Sequence, residues 1–551
     1  MNTMSGKHLM RWWVLWSSCL LGSAAHAQNL GAWDANIQAQ TELVQHTVTR
    51  FGPNHRETGR ATLALAQALE GAQEYKPAHA HFQRALSILD VDGAPQDRVL
   101  AHLGVARGAE RRNEGDKVLE NCSRAWELQS RLPPDSNQLL IIKICVGRAQ
   151  VMLGNLAKAA AVGRELAQMA MATTDAPVAW RLEASSQAGS YCVAGGDYAS
   201  ARQVAQWQLE LARKQLPPDS TQYADMLNSA VAALTHVGDV QTALPYAVLA
   251  QDLNQKLRGE LHQHTRLSFS NLGWIHVGLG RYLEAKAWFV RALNASRSTG
   301  RPHFIDVHNL GEIELLLGEL DAAHDHFSFA LETATVVYSA NHPLLAWPLR
   351  GLARVALAKG QLPVAAELSQ KAVTLRRPLG VHPDLADALQ TLGDVQLAQS
   401  KHDAARASYD ESRKLRVMTF GDKHAFVADS DFALAEVDVA LSNFAVASRR
   451  HTAALALRLQ TIPVEHPKVA ESVEAFGRVS LQAGDLAEAA RRMATVWKIR
   501  RAVFGQDHPL VRAAALRAQE LCAEAETPCL GDVQLQRAAL EPRSLLKAPT
   551  Q

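Results

Sequence analysis

The chain has 551 residues, with 57 basic and 55 acidic side chains and a formal charge of +2. That near-neutral balance, without any basic run, excludes a protein that tracks a phosphate backbone. No stretch after the first 27 residues is apolar for the roughly 20 positions that a spanning helix needs.

At the N-terminus, Lys7 and Arg11 precede an apolar run from Trp12 to Ala24, followed by Ala25-His26-Ala27. This order of basic, apolar and small-x-small residues is that of a cleavable secretory signal, with cleavage expected after Ala27. The run is too short to span a bilayer, which argues against an uncleaved anchor. Cys19 follows Trp16-Ser17-Ser18, a poor setting for a lipidated cysteine. Removing the leader takes two basic and no acidic side chains, so the expected mature chain, residues 28–551, is formally neutral. A periplasmic or secreted location is the expectation.

From there one anchor recurs, a glycine or polar residue in a short turn between helices. It stands at Gln73, Gly115, Gly154, Gly196, Gly238, Gly280, Gly318, Gly360, Ser400, Ser442 and Gly484, and seven of the ten intervals are 42 residues. Seven residues before the anchor, ten of eleven positions are Gly or Ala, Val231 being the exception. Five residues after it, ten of eleven are Ala, the exception being Glu120. Glycine inside a helix costs about 1 kcal/mol relative to alanine. Its repeated use at one phase suggests that two helix backbones meet there.

The segments on either side read as helices. In Ser268–Val277, and again in Tyr282–Leu293 after the turn Gly280-Arg281, apolar residues fall three and four apart. Each unit is therefore a helical hairpin that hides its apolar face by stacking on the next. The links between hairpins are patterned too: Asn341-His342-Pro343, Val381-His382-Pro383, Asp422-Lys423-His424, Glu465-His466-Pro467 and Asp507-His508-Pro509. Proline there suits the first turn of the following helix. The chain divides into a leader (1–27), an N-terminal cap (28–57), repeats (58–510), a closing helix (511–529) and a polar tail (530–551).

Five cysteines follow the leader: Cys122, Cys145, Cys192, Cys522 and Cys529. Export allows disulfides to persist. Cys522 and Cys529 close a short loop and are the leading pair; Cys122 and Cys145 fall on consecutive helices and can also pair. The odd count leaves one thiol over.

Small residues at the eighth and twentieth positions, within an aromatic and leucine lattice, resemble the tetratricopeptide repeat (TPR). The period near 42 resembles the longer version in kinesin light chains and many bacterial proteins. Asn271-Leu272-Gly273, Asn309-Leu310-Gly311, Leu375–Pro383 and Ile499–Pro509 carry that resemblance. It implies an all-α, right-handed superhelical solenoid of about eleven TPR-like hairpins, with first helices lining a concave groove that binds a peptide or protein.

By the repeat's phase, first-helix residues six and ten places before the anchor face that groove. The candidate binding residues at those places are Asn228, Trp274, His308, Glu312, Arg350, Arg354, Gln390, Asp394, Phe432 and Glu436, and Asn271 and Asn309 join them from the asparagine phase of the family that the repeats resemble. Their mixed charge suits an extended peptide of alternating charge better than a polyanion. Trp274 and Phe432 could equally pack between hairpins, and the asparagines could bond neighbouring helices.

No catalytic site is expected. The linker histidines recur one hairpin apart, too far to converge on a metal. The pairs His79 with His81, His262 with His264 and His324 with His326 lie two apart on helices and do not face one another. Neither a His-Glu-x-x-His, a Gly-x-Ser-x-Gly nor a phosphate-cradling glycine loop occurs. With no cofactor expected, the leading reading is a non-enzymatic protein-binding scaffold; the alternatives are a self-associating envelope element and, behind it, a small-molecule sensor.

Overall fold

The computed structural model describes residues 30–298, 303–482 and 484–526. The leader, Cys529 of the expected Cys522–Cys529 pair, and the tail at 530–551 lie outside the described residues. Among those described, every regular element is helical. The chain divides into two compact units, Met1–Ala233 and Leu234–Gln551.

In the first unit, α1 (Leu30–Phe51) precedes α2 (Arg56–Gly71) and α3 (Tyr75–Asp92), then α4 (Pro95–Arg111) and α5 (Gly115–Gln129). α6 (Ser136–Met152), α7 (Leu156–Ala172), α8 (Val178–Ala194) and α9 (Tyr198–Gln215) continue the series, and the division falls inside α10 (Thr221–His236). The second unit continues with α11 (Val240–Arg258), α12 (Gln263–Gly278), α13 (Tyr282–Arg297), α14 (Phe304–Leu316) and α15 (Leu320–Val337). It then runs through α16 (Ala346–Ala358), α17 (Leu362–Arg376), α18 (Pro383–Ala398), α19 (His402–Phe420) and α20 (Ala425–Ala440). α21 (Phe444–Thr461), α22 (Pro467–Gln482), α23 (Leu486–Phe504) and α24 (Pro509–Glu524) complete it.

The recurring turn residue has a physical reason: it sits in the left-handed region, closing the first helix and releasing the chain into the second. Its φ lies between 58° and 80° at all eleven turns, including Gln73, Ser400 and Ser442. One register needs correction. In the second hairpin the left-handed residue is Asn113, at φ 58°, whereas Gly115 is already inside α5. Asparagine adopts this conformation more readily than most residues. The true register places Ala106 and Val118 at the small-residue phases, both buried, so Glu120 is not a misfit there. A side chain at a left-handed position is strained. Ser442→Gly is therefore expected to raise stability by about 1 kcal/mol in urea titrations, and Gly360→Ser to lower it by a similar amount.

The small residue before each turn also needs a different account. At Gly273, Gly311 and Gly393 it makes room for an aromatic ring nine residues after the turn, not for a second backbone. A Cβ built on Gly393 would lie 2.5 Å from Tyr409 Cε1, and one on Gly311 would lie 3.0 Å from Phe327 Cδ1. Gly273 faces Phe289 in the same way. Gly147 is filled by Tyr191 from α8, whose hydroxyl donates to the Ile144 carbonyl at 2.8 Å. In the corrected second hairpin the ring position holds Cys122, which is disulfide-bonded to Cys145 on α6. A covalent staple thus replaces ring packing between consecutive hairpins, and Cys192 is the buried free thiol.

The linker histidines are N-caps. Nδ1 of His55, His262, His303, His342, His382, His424, His466 and His508 accepts the backbone N–H two residues on. Four of these rings are held by stacking on an aromatic four residues earlier. Phe51, Tyr338, Phe420 and Phe504 lie 4.9, 4.3, 4.5 and 4.6 Å from their histidines. Gly52, Gly421 and Gly505 supply the positive φ that turns the chain back in Phe-Gly-x-x-His. The histidines are thus committed to helix starts. Among the described residues no group of three or more His, Cys, Asp or Glu could hold a metal.

Candidate functional site

The second unit carries a charged face along the first helices α14, α16, α18, α20 and α22. Acidic Glu312 of α14 faces basic Arg350 and Arg354 of α16, α18 and α20 both present carboxylates, and α22 carries both signs. Glu312 on α14 is buried and receives Arg350 Nη2 at 3.1 Å and Arg354 Nη1 at 2.6 Å, both from α16. Burial opposes the charge on Glu312, yet Arg354, Arg350 and His308 outweigh it and hold its carboxyl down at about 2. That contribution to stability is present above the ordinary carboxylate range and is lost as pH falls toward 2. His308 stacks on Trp347 at 6.1 Å, and burial lowers its pKa to about 4, so it is neutral at pH 7.

Arg350 also donates to Asp387 on α18 at 3.3 Å. Farther along α18, Gln390 donates to Asp394 at 3.3 Å, and Tyr409 donates to the same carboxylate at 2.8 Å. Burial raises the Asp394 pKa despite those two donors. On α20, Phe432 is covered by the Arg458 guanidinium at 4.8 Å and meets the His451 ring edge-on at 4.9 Å. Glu436 accepts from Arg478 of α22 at 2.7 Å.

Beneath this face runs a row of arginines that the phase argument did not single out. They come from the second helices, sixteen residues after each turn: Arg376, Arg416, Arg458 and Arg500. Arg416 and Arg458 bind in one register. Arg416 donates to Asp387 at 2.9 Å, to the Phe426 carbonyl at 3.0 Å and to Ser430 Oγ at 2.9 Å. Arg458 donates to Asp429 at 2.9 Å, to the Lys468 carbonyl at 2.5 Å and to Ser472 Oγ at 2.9 Å. Each guanidinium therefore joins its own hairpin to the next. Arg376 pairs with Asp384 at 2.8 Å, and Arg500 holds Glu474 through both carboxylate oxygens. Earlier in the unit the same phase is filled by Asn254, which donates to Ser268 Oγ at 3.2 Å and accepts from Arg258 of its own helix.

The buried arginines fix carboxylates that remain open to water. Arg458 is 2% exposed, whereas Asp387 is 39% and Glu471 50% exposed. Burial raises the Glu471 pKa, with Arg458 and Lys468 opposing the rise. Because the acids and bases are already paired, the face offers fixed dipoles and half-used carboxylates, not a bare basic patch.

Of the other sequence candidates, Asn309 is buried on α14 and Asn271 is half-buried on α12. Trp274 packs edge-on against Phe289 at 5.4 Å, inside its own hairpin. Asn228 is buried in the first unit. The face thus brings together His308, Glu312, Arg350, Arg354, Gln390, Asp394, Phe432 and Glu436. The sequence reading did not pick out Asp384, Asp387, Asp429, Lys468 or Glu471.

Residues 249–495 match the model of the MalT-like TPR region. No curated protein matches the chain. Among solved structures, a Rap protein complexed with competence and sporulation factor is 14% identical, covering 68% of this chain and 99% of its own, with a TM-score of 0.48. Two forms of a putative kinesin light chain with nearly identical TPR-like repeats, from Podosopora anserina, are 17% and 20% identical. They cover 37% and 36% of this chain, and 97% and 95% of their own, with TM-scores of 0.30 and 0.29. By their helices and turn geometry, the described residues form an all-helical solenoid of TPR-like hairpins.

Proposed function

We propose that this chain is an exported, non-enzymatic scaffold that holds an extended segment of a partner protein along the charged face of α14–α22. The observation that carries the reading is the row of half-exposed charges locked in place by buried arginines. Charges fixed before binding lose little freedom when a ligand arrives, so they select by pattern. A strand whose charges alternate finds a complement on this face, whereas a polyanion meets carboxylates beside every arginine. The long repeat period and the Phe-Gly-x-x-His linkers support a repeat of the kinesin-light-chain-like type. Export to the periplasm or beyond is supported by the basic, apolar, small-x-small leader and by the Cys122–Cys145 disulfide, which suits an oxidising compartment.

The test is crosslinked capture from the source cell envelope, using residues 28–551 and a Glu471→Arg, Arg478→Glu variant. Both side chains are half-exposed, so the exchange alters the face without emptying the core. One or a few proteins should copurify with the natural chain and be lost with the variant. Equal recovery with both would place binding elsewhere, and recovery of the chain alone would favour self-association.

A further inference from the structure

The second unit coils back on itself, and three linkers land on three turns nearly one superhelical turn earlier in sequence. His508 caps α24 through Nδ1, so its neutral ring carries a proton on Nε2. Nε2 lies 2.7 Å from the Leu317 carbonyl, across 191 residues of chain. One linker earlier, a Cβ built on Gly280 would lie 2.9 Å from Pro467 Cδ and 3.1 Å from His466 Cα. One earlier again, a Cβ on Gly238 would lie 3.0 Å from His424 Nε2. The turns at Gly238, Gly280 and Gly318 thus receive the linkers at His424, His466 and His508 in order. Between them Tyr282 meets His466 edge-on at 6.3 Å and Phe504 at 5.8 Å.

This seam differs in kind from the joints within hairpins. Those are sealed by fully buried alanines such as Ala285, Ala405 and Ala489, and by rings seated on glycine. The seam joins turns to linkers: Tyr282 and Phe504 meet at its centre, where the buried apolar cluster of the two sides is continuous, and exposed Leu283 lies at its edge beside Gly505. Helices α13 and α23, which face each other across it, touch far less than consecutive helices do, and the less contacted joint of a fold opens first. The seam also bears on the charged face. His466 and Pro467, seated on the Gly280 turn, open α22, the helix that carries Lys468 and Glu471 of that face.

We propose that the second unit is a clasp: the seam of His466 and His508 linkers on the Gly280 and Gly318 turns parts to give access to the charged face and closes over it. This rests on the reading of that face as the binding surface, but the opening is measurable without any ligand.

Nitroxide side chains introduced at the exposed Ala287 and Ala502 by non-cysteine chemistry leave the disulfides untouched and report the distance across the seam by electron–electron resonance. Acylation of Lys468, which is 34% exposed and paired with Asp429, by a bulky succinimidyl ester reports access to the face. The full chain is compared with Leu283→Glu, His508→Ala, and with His55→Ala as a control that loses the same kind of N-cap away from the seam. The natural chain should show a short main distance and a minor longer one. The seam variant should enlarge the longer population and speed Lys468 acylation at least ~5-fold, with helical circular dichroism unchanged. The control should do neither. A single unchanged distance in all three proteins would overturn the clasp, as would a longer distance without faster acylation. A clasp that opens while no partner is captured would instead overturn the peptide-scaffold reading.

Discussion

Replacing Arg458 with methionine is expected to destabilise the second unit by about 3–5 kcal/mol, because one partner of a buried ion pair is removed while the others stay. The side chain is 2% exposed and satisfies Asp429, Ser472 Oγ and the Lys468 carbonyl while covering Phe432. Methionine fills much of the volume but donates nothing. Asp429, whose pKa is held well below the usual carboxylate range with help from Lys468 and Arg458, would keep Lys468 alone. The Ser472 hydroxyl and the carbonyl at the start of α22 would lose their donor in a buried joint. Arg491→Ala should cost less than ~0.5 kcal/mol, since Arg491 is 66% exposed and paired only along its own helix. In a solenoid the loss should appear locally. Hydrogen exchange should therefore quicken in α20–α22 before it does in α12–α15, and equal exchange across the unit would place the role of Arg458 elsewhere. Arg416→Met should behave alike, given its matching partners.

These arginines show where sequence reading succeeds and where it stops. Helices, turns and hairpin order follow from local chemistry repeated at a fixed period, so they could be read directly. The face of each first helix followed too, because residues four apart share a side. The arginine row did not, although Leu375-Arg376, Leu415-Arg416, Leu457-Arg458 and Ile499-Arg500 repeat it at one phase. A long side chain on the second helix reaches past its own hairpin, and its partners lie 29 residues before it and 10 to 14 after it. Asn113 was hidden for a different reason: glycine two residues later is the commoner left-handed residue, so Gly115 drew the register to itself. The seam is the least legible feature. Its contacts depend on the superhelical pitch, a sum of small rotations between hairpins that no single repeat encodes.

The role of the small residue before each turn is open to a sharper test. Gly273→Val should destabilise by about 3 kcal/mol, since added methyls would meet the Phe289 ring. Phe289→Ala alone should cost about 3–5 kcal/mol by leaving a cavity, because Phe289 is 1% exposed. If the ring is what requires the glycine, valine in the alanine background enters the space the ring has left. The double variant should then be more stable than the sum of the single effects by at least ~1.5 kcal/mol, measured by urea unfolding. If two backbones required the glycine, valine would cost the same with or without the ring, and the effects would add. The chain contains its own version of the exchange at the level of sequence. Where Val231 breaks the small-residue rule, the phase that holds Phe or Tyr after the turns at Gln73, Gly280, Gly318 and Ser400 holds Ala247. Bulk at one phase with a small residue at the other is the pattern expected when a hairpin conserves the volume of the pair and not the identity of either residue.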